Sequence, residues 1–436
     1  MKHRVVRAAL LLLLGVLLPG RPADAQSIPP LEAIRQQVSQ VRGLGAKSNT
    51  PISIATSREL SGSLAASADV ATSPSLTALK TIEMLTGASL GRDLAPLLGG
   101  DTAQAVYNRD TGALLVAAGV PASGADRLVV AHELTHALQD QYFDLRRFRA
   151  PQLVDGDRRA AARALIEGDA TLTMVRWGML HMTPSDKFSL GSREKPGVAA
   201  WASAPTALRT TLEFPYREGL DFVRGLHRTG GFQAVDRAYF DPPTSTEQIL
   251  HPVKYTTREA PVAVILPPIS AALGSLWRPL GPDTMGELVI RTILREHLAV
   301  DWADAAAAGW GGDQAAAFED AGGRGVLAWR STWDSDPDAA EFFNAIADLV
   351  ATRFGTRQAR AVDLPSFIRW NTPSGPAQLL KTGTSVTLLL APDDTVLGVV
   401  AAQLDPTVQT APAPFTPSAP MSPGTPPAPE AETPEE

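Results

Sequence analysis

Val129-Val130-Ala131-His132-Glu133-Leu134-Thr135-His136-Ala137-Leu138 places His-Glu-x-x-His inside an otherwise apolar run. On an α-helix residues four apart share a face, so the two imidazoles can point at one metal ion. Glu133 then stands beside that ion without having to bind it. Two neutral nitrogen ligands on a rigid element, with a base next to the activated water, are what metal-assisted hydrolysis requires. The chain has only seven His, and a chance match of this spacing is expected in about one such chain in a hundred or fewer. The plainer reading is a pair of core histidines satisfied by hydrogen bonds, with Glu133 solvated at a helix edge. It leaves three polar groups without purpose on a helix backed by Leu128, Val129, Val130 and Leu134, where unpaired polar burial is costly.

A catalytic zinc commonly takes three protein ligands and keeps an open position. No His follows His136 before His181, so a carboxylate on a later helix is the expected third ligand. Glu167 is the best placed, among Ala164, Leu165, Ala170 and Leu172, where a free acid would be out of place. Gly168 beside it is expected to let the two helices approach closely. Asp155 and Asp157 read as helix-start residues.

His132-Glu133-Leu134-Thr135-His136 followed by Glu167 resembles the gluzincin, or thermolysin-like, zinc metallopeptidases. More narrowly, the run from His132 to Gln141 with Glu167-Gly168-Asp169-Ala170 resembles a bacterial secreted family of zinc metallopeptidases, mostly uncharacterised. Ser245-Thr246-Glu247-Gln248-Ile249-Leu250-His251-Pro252 and Gly309-Trp310-Gly311-Gly312-Asp313 are similar to that family too. The resemblance implies Zn²⁺ held by His132, His136 and Glu167, Glu133 as general base, and a peptide or protein substrate. It implies also that the second strand of the preceding hairpin pairs with an extended peptide, although an ordinary hairpin serves as well. A further oxyanion donor is expected among His251, Tyr216 and Tyr255, with His251 preferred. One position departs from the thermolysin-like pattern. Four residues after the ligand Glu, where an Asp would orient a ligating His, stands Thr171; either Asp169 or Asp140 takes that role or the partners of the ligands differ from the thermolysin-like pattern. Ligand type alone admits several first-row metals.

The rest of the chain sets the context. Lys2, Arg4 and Arg7, the apolar Ala8–Leu18 and Ala23-Asp24-Ala25 read as a cleavable secretory signal over 1–25, too short in its apolar core to span a bilayer. A secreted or periplasmic protein follows, with no membrane span after cleavage. A net charge of −7 and no basic stripe exclude an ordinary nucleic-acid binder. With no Cys there is no disulfide and no thiolate ligand. The expected architecture is α+β: a helical N-terminal region over 26–100, which a removable pro-segment or a subdomain would explain equally; a mainly helical metallopeptidase core over 101–260 with a small hairpin at 104–116; a mixed α/β region over 261–404; and a Pro-rich tail over 405–436 too poor in apolar residues to fold. Within these, Thr56–Glu59 reads as a capping box and Ser73-Pro74 as the start of a helix that stops at Gly87. Thr382–Leu390 and Val396–Leu404 read as a closing hairpin. The competing function is a non-catalytic extracytoplasmic zinc-binding protein, structural or interacting; a base at Glu133 favours the enzyme.

Overall fold

The computed structural model describes residues 28–63, 75–88, 104–120, 123–149, 155–192, 203–355 and 360–404. The stretch 1–25 read as a signal, the Pro-rich tail and the Ser73-Pro74 pair lie outside them. In chain order the elements used below are α1 (Ile28–Arg42), β1 (Ile52–Ala55), α2 (Leu76–Thr86), β2 (Ala105–Asn108), β3 (Ala113–Ala117), α3 (Gly124–Phe143), α4 (Gly156–His181), α5 (Thr206–Phe240), α6 (Thr246–Leu250), β4 (Arg278–Asp283), α7 (Gly286–His297), β5 (Trp310–Glu319), β6 (Gly325–Trp333), α8 (Asp336–Phe354), β7 (Arg360–Leu364), β8 (Phe367–Thr372), β9 (Gly375–Thr382), β10 (Ser385–Leu390) and α9 (Asp394–Leu404). The fold is α+β. Among the described residues no helix is long and apolar enough to cross a membrane.

Local chemistry sets the helix ends. Ser123 accepts from the Asp126 N–H while Asp126 accepts from the Ser123 N–H, a reciprocal cap that opens α3. Asp155 caps α4 through the N–H groups of Asp157 and Arg158. Thr56 and Glu59 form the expected capping box at the start of a short helix over 57–63. Helix α2 starts at Ser75, whose hydroxyl accepts from Ala78, and stops where Gly87 adopts φ +81°. The two helices expected at 218–228 and 232–240 both lie in α5, which Gly230 and Gly231 break into two with non-helical backbone.

Two buried cores organise the molecule. The first gathers Leu31, Ile34 and Val38 of α1 with Leu114 and Val116 of β3 and the inner faces of α3, α4 and α5. The second lies between a seven-stranded antiparallel sheet, ordered β4-β5-β6-β10-β9-β8-β7, and the helices α2, α7 and α8. The 26–100 region is therefore divided: α1 belongs to the first core and α2 to the second.

Several expectations are corrected. Residues 396–404 are not a strand. Leu397, Val400, Ala401 and Leu404 bury one face of α9 at helical spacing, against Phe318, Val326, Ala328 and Leu389 on the outer face of the sheet. The hairpin partner of β10 is β9, which with β7 and β8 was not expected. Strand β1 also went unread; it pairs in parallel with β3, giving the order β1-β3-β2. The second hairpin strand is thus flanked on both sides and cannot receive a peptide, so the free edge facing α3 is that of β2. The close approach at Gly168 is to α5, not α3: a Cβ there would lie 2.2 Å from the Gly219 carbonyl oxygen, and one at Gly219 would lie 2.2 Å from that of Ala164.

Candidate metal centre

The apolar faces of α3 and α4 pack in the first core and carry the ligands with them. His132 and His136, one turn apart on α3, and Glu167 in the middle of α4 are all buried. His132 Nε2 lies 3.1 Å from His136 Nε2 and 3.1 Å from Glu167 Oε2, and His136 Nε2 lies 3.4 Å from the same oxygen. Ligand atoms about 2.0–2.1 Å from a tetrahedral zinc lie about 3.3 Å apart. The three donors therefore have the mutual spacing of one face of a zinc tetrahedron, and nitrogen-nitrogen-oxygen is a donor set zinc accepts. The residues fit the ion.

His136 Nδ1 lies 2.7 Å from Gln139 Oε1. An amide oxygen only accepts, so Nδ1 carries the proton and Nε2 keeps its lone pair for a metal. The Gln139 amide nitrogen donates to the Ile166 carbonyl and to Asp169 Oδ2, both at 3.0 Å. Asp169 thus fills the place left open by Thr171, through one intervening side chain; Thr171 Oγ1 is buried with no partner among the described residues. Asp140 is engaged elsewhere, with the Tyr107 hydroxyl and the Leu145 N–H. His132 Nδ1 is buried and has no partner among the described residues.

Glu133 Oε2 accepts the Tyr107 N–H of β2 at 2.7 Å. Burial pushes its carboxyl up to about 7, against the opposing pull of His132 and of that N–H. Burial would raise Glu167 likewise, but His136 and His132 outweigh it and hold that carboxyl well below the usual range. One fold thus drives two neighbouring acids in opposite directions, a pattern typical of acid–base sites. Arg109, on the turn between β2 and β3, brings Nη2 to 3.8 Å from Glu167 Oε1.

Of the three expected oxyanion donors, only Tyr216 is at the cluster. Its ring centroid is 6.2 Å from that of His132, and the Arg163 guanidinium lies 5.8 Å from its ring. Burial pushes its phenol far up, so it stays a proton donor. The structure turns the preferred residue, His251, elsewhere: its Nε2 lies 3.0 Å from Glu287 Oε1 on α7. The Tyr255 hydroxyl donates to the Asp241 carbonyl. A second acidic trio, Glu247, Glu259 and Asp334, surrounds the Lys254 ammonium at 2.6, 2.6 and 2.5 Å, which already supplies its cation. Asp313, expected in a turn, is buried and accepts the N–H groups of Met285 and Gly286 and the Trp310 indole.

Comparison with known proteins adds one match. A family model described as a domain of unknown function, DUF8575, matches residues 278–401. That stretch runs from β4 into α9 and includes none of the metal-cluster residues. No curated protein and no solved structure matches the chain.

Proposed function

We propose that this chain is a secreted zinc-dependent peptidase. The observation that carries the reading is the convergence of His132 Nε2, His136 Nε2 and Glu167 Oε2 within 3.4 Å of one another, with a carboxylate that binds none of the three one residue after the first His. When bound, zinc supplies a Lewis acid that acidifies water and polarises a carbonyl.

The protein's own groups supply the rest. Glu133 takes the proton from the attacking water and returns it to the leaving amine, as a carboxylate standing beside the metal without binding it can do. The Tyr107 N–H fixes the side of that carboxylate from which it cannot work. Tyr216 donates to the oxyanion that develops as the carbonyl is attacked. The β2 edge, with the Tyr107 N–H already pointing away from β3 at Glu133, is where an extended peptide would align. The signal segment read at 1–25 would deliver the enzyme outside the cytoplasm.

The test is casein hydrolysis by the purified mature chain before and after chelation. Activity lost with zinc and regained on its return is the expected result. A zinc-replete chain that leaves casein intact would instead support the non-catalytic zinc-binding reading.

A further inference from the structure

The orientation of His136 traces back, through buried side chains alone, to the first helix of the fold. Asp169 receives the Gln139 amide at Oδ2 and the Tyr239 hydroxyl at the same oxygen, 2.9 Å away. Its other oxygen receives Arg42 Nε at 2.8 Å, and both side chains of that ion pair are fully buried. Arg42 is itself fixed twice on α5, by Asp236 at 2.6 Å and by the Phe232 ring, 4.5 Å from the guanidinium carbon to the centroid. We propose that Arg42 is a positioning residue of the metal centre: through Asp169 and Gln139 it holds His136 in the tautomer and pose that present Nε2 to the ion. The proposal rests on the reading that His132, His136 and Glu167 hold a metal.

The direction of every hydrogen bond supports it. The Ile166 carbonyl and the Asp169 carboxylate accept and do not donate, so the Gln139 amide must turn its NH₂ toward them and its oxygen toward His136. Removing the guanidinium leaves a buried carboxylate without its cation, a costly state that relaxes by reorientation. Once Asp169 turns, the Gln139 amide keeps only the Ile166 carbonyl to distinguish its two ends, and the hold of its oxygen on His136 Nδ1 weakens. Outer-sphere partners of this kind set metal affinity by about 10- to 100-fold. Helix α1 is bound to α4 at a second point, where Gln37 accepts the indole N–H of Trp177. It follows that α1 belongs to the working metal centre, and that a pro-segment including it could not be removed without loosening the metal.

The experiment uses the full mature chain and measures zinc dissociation constants by chelator competition, with the visible spectrum of the Co²⁺-loaded protein as a second readout. Arg42→Ala is expected to weaken zinc by about 10- to 100-fold and to change the Co²⁺ spectrum, while Arg42→Lys restores part of the affinity. Gln139→Leu, which spares the Arg42 ion pairs, should give a similar loss, and the double variant no further one. Leu31→Ala, a core change on the same helix, should lower the thermal midpoint and leave both readouts unmoved. Should Arg42→Ala not fold, Arg42→Lys and Gln139→Leu decide by the same criteria. Unchanged zinc affinity and spectrum in these variants, beside a wild type that binds zinc, overturn this inference alone. A wild type that binds no zinc overturns it together with the proposed function.

Discussion

Glu133 and Glu167 sit beside the same two imidazoles, yet only one of them contacts both. Glu167 lies against both imidazoles, which hold its carboxyl well below the usual range; Glu133 meets a backbone N–H, and burial pushes its carboxyl up. This difference has a consequence in the metal-free protein. With its folded pKa raised from 4.5 to about 7, Glu133 contributes stability that is fully present below about pH 4.5 and is lost as pH rises through 7. Relative to Glu133→Gln, the metal-free wild type should therefore lose stability between pH 4.5 and 8, by up to about 3 kcal/mol and less to the extent that water reaches the carboxylate. Urea midpoints of both proteins across that range check it, and parallel curves would contradict it. At the proposed ligand, Glu167→Ala should weaken zinc sharply, read by chelator competition; undiminished affinity would remove Glu167 from the site. The residue scale was also the most legible. His132, Glu133, His136 and Glu167 are readable because i,i+4 spacing and an acid stranded in an apolar helix are local signals. Gln139 lies at i+3 from His136 and could have been found by the same rule. Arg42 could not: its partner is 127 residues away, and nothing near it marks an Arg that will be buried.

Among the elements, α4 and α5 define the site's rigidity. They cross where Gly168 and Gly219 let backbone meet backbone, and Glu167 stands next to that crossing. Gly168→Ala would put a methyl group 2.2 Å from the Gly219 carbonyl oxygen. Neither backbone can yield cheaply, so the helices must part, at about 1–3 kcal/mol or more. Because Glu167 moves with α4, the same variant should also bind zinc more weakly. Thermal unfolding and chelator competition measure the two effects; an unchanged midpoint would show that the crossing is looser than described. Helix ends were legible from caps such as Ser123, but strand identity was less so. The run from Val396 to Leu404 is short and apolar, and such a run fits a strand or a helix until its partner is known. Here the partner is the outer face of a sheet, and the spacing of Leu397, Val400, Ala401 and Leu404 suits α9. Strand β9 opens with Gly375-Pro376, and β7 and β8 are only five and six residues long, too short for their pattern to name a strand.

At the scale of the whole molecule, the two cores are not independent bodies. Helix α5 contributes Phe214 and Leu220 to the first and Leu212 and Tyr216 to the second; α7 contributes Leu288 to the first and Ile290 and Ile293 to the second. Asp313 of β5 clamps the start of α7, and Lys254 ties Glu247 on α6 to Asp334 beyond β6. Zinc bound in the first core should therefore raise the unfolding midpoint of both. Fluorescence from Trp310, Trp329, Trp333 and Trp370 in the second core and helical circular dichroism should shift together on adding zinc. A tryptophan transition that ignores zinc would separate the cores. The α+β class and the position of the helix that carries His132 and His136 were readable from patterning. The split of the N-terminal region between two cores was not, because both of its helices are amphipathic and amphipathicity does not name the partner. The central claim concerns what the metal helix does, and Glu133→Gln tests it most directly, compared with wild type on casein at matched zinc occupancy. The account predicts retained zinc with hydrolysis reduced on the order of 10²–10⁴-fold; retained zinc with undiminished hydrolysis would contradict it.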